Sequence, residues 1–197
     1  MKAFLFPGQG SQRKGMGAGV FELFPQYVEI ANSILGYDIV DLCLNDPDRK
    51  LNETEFTQPA VFTVSALSYL AHIQNGQGRP DFVAGHSVGE YAALVAAGSL
   101  RFESALALVN ERAVTMARLG QGGLAAVLGH DEDSTQRLIA TFADGDIEIA
   151  NLNTPDQTVV GGTKPALAAF VEACGDNGVK AIPLRVSGAF HTSLMAD

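Results

Sequence analysis

The fold of this chain is decided by the stretch Phe82-Val83-Ala84-Gly85-His86-Ser87-Val88-Gly89-Glu90-Tyr91. The apolar residues that open it are typical of a buried strand, and the residues after Gly89 are typical of a helix. Between them lies Gly-x-Ser-x-Gly, where small residues flank the serine because the backbone turns sharply. Such motifs also occur in ordinary loops, but the flanking strand and helix favour a nucleophile elbow. We therefore predict that Ser87 presents a nucleophilic hydroxyl at the end of a strand.

Two backbone regions are candidates for stabilising an oxyanion beside this serine. The N–H of Val88 and the N-terminus of the following helix would face the negative charge that develops there. The glycine-rich loop at residues 8–13 matches neither a dinucleotide-binding fingerprint nor a P-loop. This loop follows the first predicted strand, so its backbone N–H groups, with Gln9, could supply a second oxyanion donor.

The composition limits what the chain can be. Hydrophobic residues make up 47% of its 197 residues, which is enough for a sizeable core. A net charge of −9 without basic runs argues against general nucleic-acid binding. No apolar stretch approaches the roughly 20 residues of a membrane span, and the two cysteines can form neither a disulfide framework nor a four-cysteine zinc site. We expect a soluble cytoplasmic protein with no metal site.

The first part of the chain alternates strands with helices, which is the layout of an α/β fold. The predicted elements are strands at 3–6 and 82–84, both buried, and helices at 20–35, 58–73, 90–97 and 103–119.

The order of the predicted strands and helices changes after Gly122. The predicted elements are strands at 124–128, 146–150, 158–160 and 180–186 and helices at 131–142 and 164–173. The order β-α-β-β-α-β is typical of a ferredoxin-like fold. Two subdomains are therefore expected, with a boundary near residues 120–123.

A nucleophilic serine needs a general base, and the chain offers four histidines. His72 falls late in a predicted helix, His130 in an acidic turn, and His86 beside the serine in a position that points elsewhere if the elbow is real. His191 follows the last predicted strand, from where a loop could return to the elbow. Spacing alone favours His191 only modestly.

Arg112 lacks a carboxylate at the positions three and four residues away on its helix. It shares an apolar stripe with Ala105, Leu108, Met116 and Leu119. An arginine on such a face is costly unless an anion meets it. Its stem could extend to solvent or pair with a distant carboxylate. The alternative is a bidentate clamp for the carboxylate of a substrate.

Several separate motifs make this sequence similar to the malonyl-CoA:acyl carrier protein transacylase family, which includes the acyltransferases of polyketide synthases. The motifs that carry the resemblance, in chain order, are Phe6-Pro7-Gly8-Gln9-Gly10-Ser11-Gln12, Thr57-Gln58-Pro59-Ala60, Gly85-His86-Ser87-Val88-Gly89-Glu90-Tyr91, Arg112, Asn151-Leu152-Asn153-Thr154-Pro155 and Gly188-Ala189-Phe190-His191.

The resemblance implies an α/β-hydrolase-like large subdomain with an inserted ferredoxin-like subdomain. The large subdomain would comprise residues 1–121 and 188–197, and the insertion residues 122–187. Members of the family continue well beyond the histidine that matches His191, so we expect the C-terminal part of the family to be lacking here.

The resemblance also implies ping-pong acyl transfer. Ser87 would attack the thioester of malonyl-CoA with His191 as base, and an acyl carrier protein would receive the malonyl group on its phosphopantetheine thiol. The backbone N–H groups of Gln9 and Val88 would form the oxyanion hole. No cofactor is implied, since malonyl-CoA is a substrate.

The substrate-binding residues implied by the resemblance are Arg112, Gln58 and Phe190. Arg112 would bind the malonyl carboxylate, and Gln58 would line the pocket. Phe190 stands where malonyl-selecting polyketide acyltransferases carry a phenylalanine that leaves little room for an α-methyl branch. The carrier protein is acidic in such systems, so Arg13 and Lys14 are candidates for docking it, although they could equally be ordinary solvated surface.

Two other functions stay open at this point. An acyl hydrolase that clears carrier proteins could use the same scaffold, but it would gain nothing from a carboxylate clamp. An inactive fragment or docking module is the other alternative, because the chain ends shortly after His191.

Overall fold

The strand before the elbow pairs with the strand at the start of the chain. In the computed structural model, which describes residues 1–143 and 145–196, β1 (Ala3–Phe6) and β2 (Phe82–Gly85) are parallel neighbours. Phe6 lies opposite Gly85, and the N–H of His86 continues the pairing by donating to the Phe6 oxygen at 2.9 Å. Both strands therefore end at the same edge, and the loops that follow them begin side by side.

Contacts divide the chain into two units, one formed by residues 1–115 and one that begins at Met116. The helices of the first unit are α1 (Pro25–Leu35), α2 (Ile39–Leu44), α3 (Thr54–Gln74), α4 (Gly89–Ala96) and α5 (Phe102–Arg118), the last of which ends in the second unit. None of the described helices combines the length and the apolar character needed to cross a membrane.

The core of the first unit is built on α3. Phe62 and Leu67 of this helix are fully buried, and the Phe62 ring lies 5.5 Å from the ring of Phe102 on α5. Burying side chains of this size stabilises a fold by about 1.5–3 kcal/mol each. The Tyr69 hydroxyl donates to the Ala96 oxygen of α4 at 3.1 Å. Ring packing and this hydrogen bond fix α3 against α4 and α5, the two helices that follow the elbow in sequence.

The expectation that β1 and β2 are buried strands is wrong for one face of the pair. Phe6 is buried, but Leu5 is 79% exposed and Phe82 is 59% exposed. Successive side chains of a strand point to opposite faces, and only one face of this two-stranded sheet is covered by the described residues. An apolar strand sequence predicts apolar faces, but it does not say which of them is covered.

The backbone of the elbow leaves no space for side chains at its glycines. A Cβ on Gly85 would lie 2.1 Å from the carbonyl carbon of Gly89, and a Cβ on Gly89 would lie 2.3 Å from the Phe6 oxygen. Ser87 has a φ of 52°, a left-handed conformation that is strained for a non-glycine residue and typical of functional turns. Gly85 is therefore required by its close contact with the start of α4, and Gly89 by its close contact with the end of β1.

The second unit has the β-α-β-β-α-β order that the sequence predicts. Its elements are β3 (Gly123–Leu128), α6 (Glu132–Phe142), β4 (Ile147–Thr154), β5 (Gln157–Gly162), α7 (Lys164–Asp176) and β6 (Ala181–Pro183). The strands form one antiparallel sheet in the order β4-β5-β3-β6. This is the strand order of a ferredoxin-like fold, and the predicted α/β fold class is confirmed.

Strand β3 is buried on both faces. Ala125 and Val127 pack with the helices of the unit, whereas Leu124 and Ala126 pack with Phe190 on the opposite face. This alternation explains why the sequence of β3 is continuously apolar.

Two helical predictions differ from the structure. The helix expected over residues 20–35 begins only at Pro25, after a short 3-10 turn at Phe21–Leu23, because proline is suited to the first helical turn and not to a helix interior. Helix α2 was not predicted. Its start is fixed by Asp38, whose carboxylate accepts hydrogen bonds from the N–H groups of Val40 and Asp41.

The last strand is shorter than the predicted 180–186. It ends at Pro183. The N–H of Leu184 still donates to the Leu124 oxygen of β3, and the N–H of Val186 then donates to the oxygen of Leu184, where the backbone turns away from β3. The predicted subdomain boundaries, including the return of residues 188–197 to the first subdomain, stay a prediction.

We expect Gly89→Ala to lower the free energy of unfolding by about 1–3 kcal/mol, because the added methyl group overlaps a backbone oxygen. A matched control is Gly175→Ala in α7, where nothing lies within 4 Å of an added Cβ. That change should raise the free energy of unfolding by roughly 0.5–1 kcal/mol, as is usual for a helical glycine. Urea denaturation measures both, and an elbow variant as stable as the parent chain would contradict the close contact.

Candidate active site

A hydrogen-bonded group of three side chains lies at the elbow. Arg112 of α5 donates from Nη2 to the Ser87 oxygen at 3.0 Å and from Nη1 to Oε1 of Gln58. Gln58 is fully buried in the first part of α3, so it offers the guanidinium a fixed acceptor. Residues that lie far apart in the sequence are thus joined around the predicted nucleophile.

The charge of Arg112 has no ionic partner in the part of the chain that the structure describes, where the ion pairs lie elsewhere. Burial lowers the pKa of the Arg112 guanidinium from its ordinary value, and electrostatic interaction with the nearby Tyr91 and Glu90 side chains acts in the opposite direction. An arginine side chain stays protonated in proteins. The group therefore presents a positive charge at Ser87, held by a neutral amide.

The buried stripe of α5 differs from the predicted one. Its buried members are Phe102, Ala105, Leu106, Val109 and Ala113. Leu108, which we placed on the apolar stripe, is 51% exposed, and Arg112 is half-buried at the margin of the true buried face. A position at this margin allows the guanidinium to reach the elbow while the stem packs on the helix surface.

Two backbone N–H groups near the elbow fit the predicted oxyanion donors. Val88 is fully buried directly before α4, and Gln9 belongs to the loop after β1. This loop lies against the elbow, since a Cβ on Gly8 would be 2.6 Å from Nδ1 of His86. Among the described residues, none accepts a hydrogen bond from the N–H of Gln9 or of Val88. The role of these two groups as oxyanion donors stays a prediction.

His191 and Phe190 belong to the second unit. The N–H of Ala189 donates to the Gln121 oxygen at 2.8 Å, and the Thr192 hydroxyl donates to the Ala189 oxygen at 2.6 Å. Phe190 is only 4% exposed and packs on the sheet, while His191 has a left-handed φ of 64°. These contacts hold the predicted base on a tight, anchored turn of its own unit.

The other histidines have structural surroundings. His72 meets the ring of Phe4 edge-on at 4.5 Å, and Nδ1 of His130 lies 3.0 Å from the Leu128 oxygen. His86 packs against Gly8 at the loop after β1. The assignment of His191 as the base stays a prediction.

The surroundings of the two cysteines differ from those of a reactive thiol. Within the described ranges no three His, Cys, Asp or Glu side chains cluster as metal ligands would. Both cysteines are buried, and burial raises the pKa of the Cys43 thiol to about 12, with Asp38 and Asp46 adding to the effect. Burial also raises the pKa of Cys174. The thiols stay protonated near neutral pH and are poor nucleophiles.

Sequence reasoning missed one residue of this region, Thr54. Its hydroxyl accepts a hydrogen bond from Nε2 of Gln9 at 3.1 Å, although the two residues are distant in sequence. The predicted helix began at residue 58, and this late start concealed a buried threonine in the first turn of α3. A threonine four residues before Gln58, on the same helical face, was the available signal.

Comparison with protein families decides the assignment, since residues 3–197 match the acyl transferase domain family. The chain belongs to this family. The chain is 45% identical over 197 residues to the polyketide biosynthesis malonyl CoA-acyl carrier protein transacylase PksC of Bacillus subtilis. That match covers 99% of the chain and 68% of PksC.

Two further relatives agree with this placement. The polyketide biosynthesis protein ThaF of Burkholderia thailandensis is 49% identical over 198 residues, a match that covers 100% of the chain and 17% of ThaF. The chain superposes on the crystal structure of a malonyl CoA-acyl carrier protein transacylase from Burkholderia pseudomallei with a TM-score of 0.92 and 42% sequence identity. The match covers 98% of the chain and 67% of the transacylase. The chain thus spans about two thirds of the length of these two transacylases and a small part of ThaF.

The buried, protonated state of Cys43 predicts that the folded chain resists alkylation at this residue. Iodoacetamide at pH 8.5 should leave Cys43 unmodified in the native chain, because the pH lies well below its raised pKa. The same reagent should modify it rapidly after unfolding in guanidinium chloride, which returns the thiol pKa to about 8.5. Peptide mass mapping reads out both states. Rapid modification of the folded chain would contradict the assigned environment.

Proposed function

We propose that the chain transfers a malonyl group from malonyl-CoA to the phosphopantetheine thiol of an acyl carrier protein in polyketide biosynthesis. The observation that carries this proposal is the hydrogen bond from Arg112 to Ser87. A guanidinium beside a nucleophilic hydroxyl favours an acyl group that bears its own carboxylate. The name of PksC, a polyketide biosynthesis malonyl CoA-acyl carrier protein transacylase, supports the same substrate.

In the first half-reaction, Ser87 attacks the thioester carbonyl of malonyl-CoA while His191 accepts the hydroxyl proton. The oxyanion of the tetrahedral intermediate receives hydrogen bonds from the N–H groups of Gln9 and Val88. Collapse of the intermediate breaks the carbon–sulfur bond. The coenzyme A thiolate leaves with the proton that His191 returns, and a malonyl ester remains on Ser87.

In the second half-reaction, the phosphopantetheine thiol of the carrier protein gives its proton to His191 and attacks the malonyl ester. The same two N–H groups stabilise the second oxyanion. The ester oxygen of Ser87 leaves and takes the proton from His191, which restores the free hydroxyl. Each half-reaction is therefore balanced without a cofactor.

Arg112 binds the malonyl carboxylate, and Gln58 keeps the guanidinium in place. The carboxylate accepts two parallel hydrogen bonds from a guanidinium, whereas an acetyl group offers no such acceptor. Oε1 of Gln58 accepts a hydrogen bond from Nη1 of Arg112, while Nη2 of Arg112 is directed at Ser87, to which the acyl group is attached.

Phe190 is proposed to limit the space beside the acyl carbon and so to exclude an α-methyl branch. Arg13 and Lys14, on the loop that follows the Gln9 segment, are proposed contacts for the acidic carrier protein. We place the reaction in the cytoplasm, in line with the expectation from composition.

Mixing the chain with malonyl-CoA should give a malonyl adduct on Ser87, which intact-mass measurement detects. Ser87→Ala should abolish the adduct, because the ester needs this oxygen. His191→Gln should slow its formation by about a hundredfold or more, the usual cost of removing a general base. An adduct that persists in Ser87→Ala would contradict the assigned nucleophile.

The same adduct separates transfer from hydrolysis. A carrier protein bearing phosphopantetheine should remove the malonyl group from Ser87 much faster than water does. Equal lifetimes with and without the carrier thiol would instead favour an acyl hydrolase.

Arg112→Ala should slow acylation by malonyl-CoA by roughly tenfold to a hundredfold, the effect of losing about 1.5–3 kcal/mol of charged hydrogen bonding. Acylation by acetyl-CoA should change little, because acetyl lacks a carboxylate. Arg118→Ala is the matched control, since this exposed arginine stands on the same helix. A parallel loss for both acyl groups in Arg112→Ala would contradict the carboxylate clamp.

A further inference from the structure

The loop that carries Gln9 is fastened by two glutamine side chains to the first residue of α3 and to the 3-10 turn (Lys50–Asn52) that precedes it. Nε2 of Gln9 donates to the Thr54 hydroxyl at 3.1 Å in a partly buried contact. Nε2 of Gln12 donates to Oδ1 of Asn52 at 2.9 Å in an exposed contact. The buried contact is the stronger restraint, because water competes less for its partners.

Hydrogen bonds inside the loop pair the backbone groups on both sides of Gln9. The Ser11 hydroxyl donates to the Gly8 oxygen at 2.7 Å, and the N–H of Gly10 donates to Oε1 of Gln12 at 2.7 Å. The neighbouring backbone groups are thus paired within the loop, while the N–H of Gln9 has no acceptor among the described residues. The contacts inside the loop therefore hold the backbone around Gln9 and leave its N–H without an acceptor in the part of the chain that the structure describes.

Thr54 and Gln58 occupy one face of the same helix. They are four residues apart in α3, and both are buried, with 3% and 0% exposure. Gln58 holds the guanidinium of Arg112, whereas Thr54 holds the side chain of Gln9. A single rigid helical turn therefore sets the positions of the carboxylate-binding group and of the loop with the candidate oxyanion donor.

We propose that Thr54 is a positioning residue, whose hydroxyl fixes the Gln9 side chain and thereby the Gln9 N–H that stabilises the oxyanion. The inference rests on the proposed function, which assigns that N–H to the oxyanion hole. A donor of this kind acts only within hydrogen-bond distance of the oxyanion, and complete loss of one costs about 10²–10³ in rate. A donor that is displaced but not removed should cost about tenfold.

The test uses three substitutions in α3. Thr54→Val keeps the shape of the side chain and removes the hydroxyl, whereas Thr54→Ser keeps the hydroxyl. Thr63→Val is the matched control, because the Thr63 hydroxyl is buried in the same helix without a hydrogen-bond partner among the described residues. The measurement is the rate of malonyl adduct formation on Ser87 at a series of malonyl-CoA concentrations, read by quenched intact-mass analysis.

We expect Thr54→Val to lower the maximal acylation rate about tenfold while the half-saturating malonyl-CoA concentration changes less than twofold. Thr54→Ser should restore most of the rate, and Thr63→Val should match the parent chain. An unchanged maximal rate in Thr54→Val would overturn the proposal, as would an equal loss in Thr54→Ser. If Thr54→Val does not fold, Gln9→Leu removes the same contact from the loop side and should show the same loss, and a parent-like rate would overturn the proposal.

A second probe separates this inference from the proposed function. An alkyl fluorophosphonate modifies an activated serine and needs the oxyanion hole, but it contains no malonyl group. If the parent chain takes up the fluorophosphonate but not malonate, the proposed substrate is wrong, and a tenfold slower labelling of Thr54→Val still supports the positioning role. If labelling of Thr54→Val is as fast as that of the parent chain, or the parent chain is not labelled at all, the positioning role is overturned.

Discussion

The parallel pairing of β1 with β2 is the interaction on which the candidate site depends. It brings Phe6 opposite Gly85 and so places the ends of both strands at one edge. The close approach of the elbow to the end of β1 is possible only because Gly89 has no side chain, since a Cβ there would overlap the Phe6 oxygen. The strained φ of Ser87 and the loop with Gln9 both follow from that contact. A slip of the pairing would separate the nucleophile from its candidate oxyanion donors.

Helix α3 gives this edge a fixed frame. Its middle is packed into the core through Phe62 and Leu67, whereas its first turns face the loops and present Thr54 and Gln58. Helices in well-packed cores move little, because displacement opens cavities or forces overlaps. The positions of Thr54 and Gln58 are therefore fixed by core packing farther along α3. Two other functional side chains are held by direct hydrogen bonds to these two residues.

The sequence predicted the local features of this arrangement better than the contacts between them. The elbow around Ser87 and the β-α-β-β-α-β order could be read from short-range patterns, because turn chemistry and periodicity are local. The contact of Arg112 with Gln58 and Ser87 depends on how two helices and a turn pack, and no short-range pattern encodes it. The exposure of Leu5 was missed for the same reason, since apolar character does not tell which face is covered.

The chemical nature of the group that accepts the hydrogen bond from Arg112 Nη1 determines which acyl groups the site can bind. A carboxylate at the position of Gln58 would pair with the guanidinium and neutralise it, and an incoming malonyl carboxylate would have to displace that partner. The amide of Gln58 satisfies the geometry of Nη1 without cancelling the charge. Burial then works in favour of binding, because a partly desolvated cation attracts an anion more strongly than a hydrated one does. The cost of burying the charge appears as the lowered pKa of Arg112, and the carboxylate of the bound acyl group would offset it.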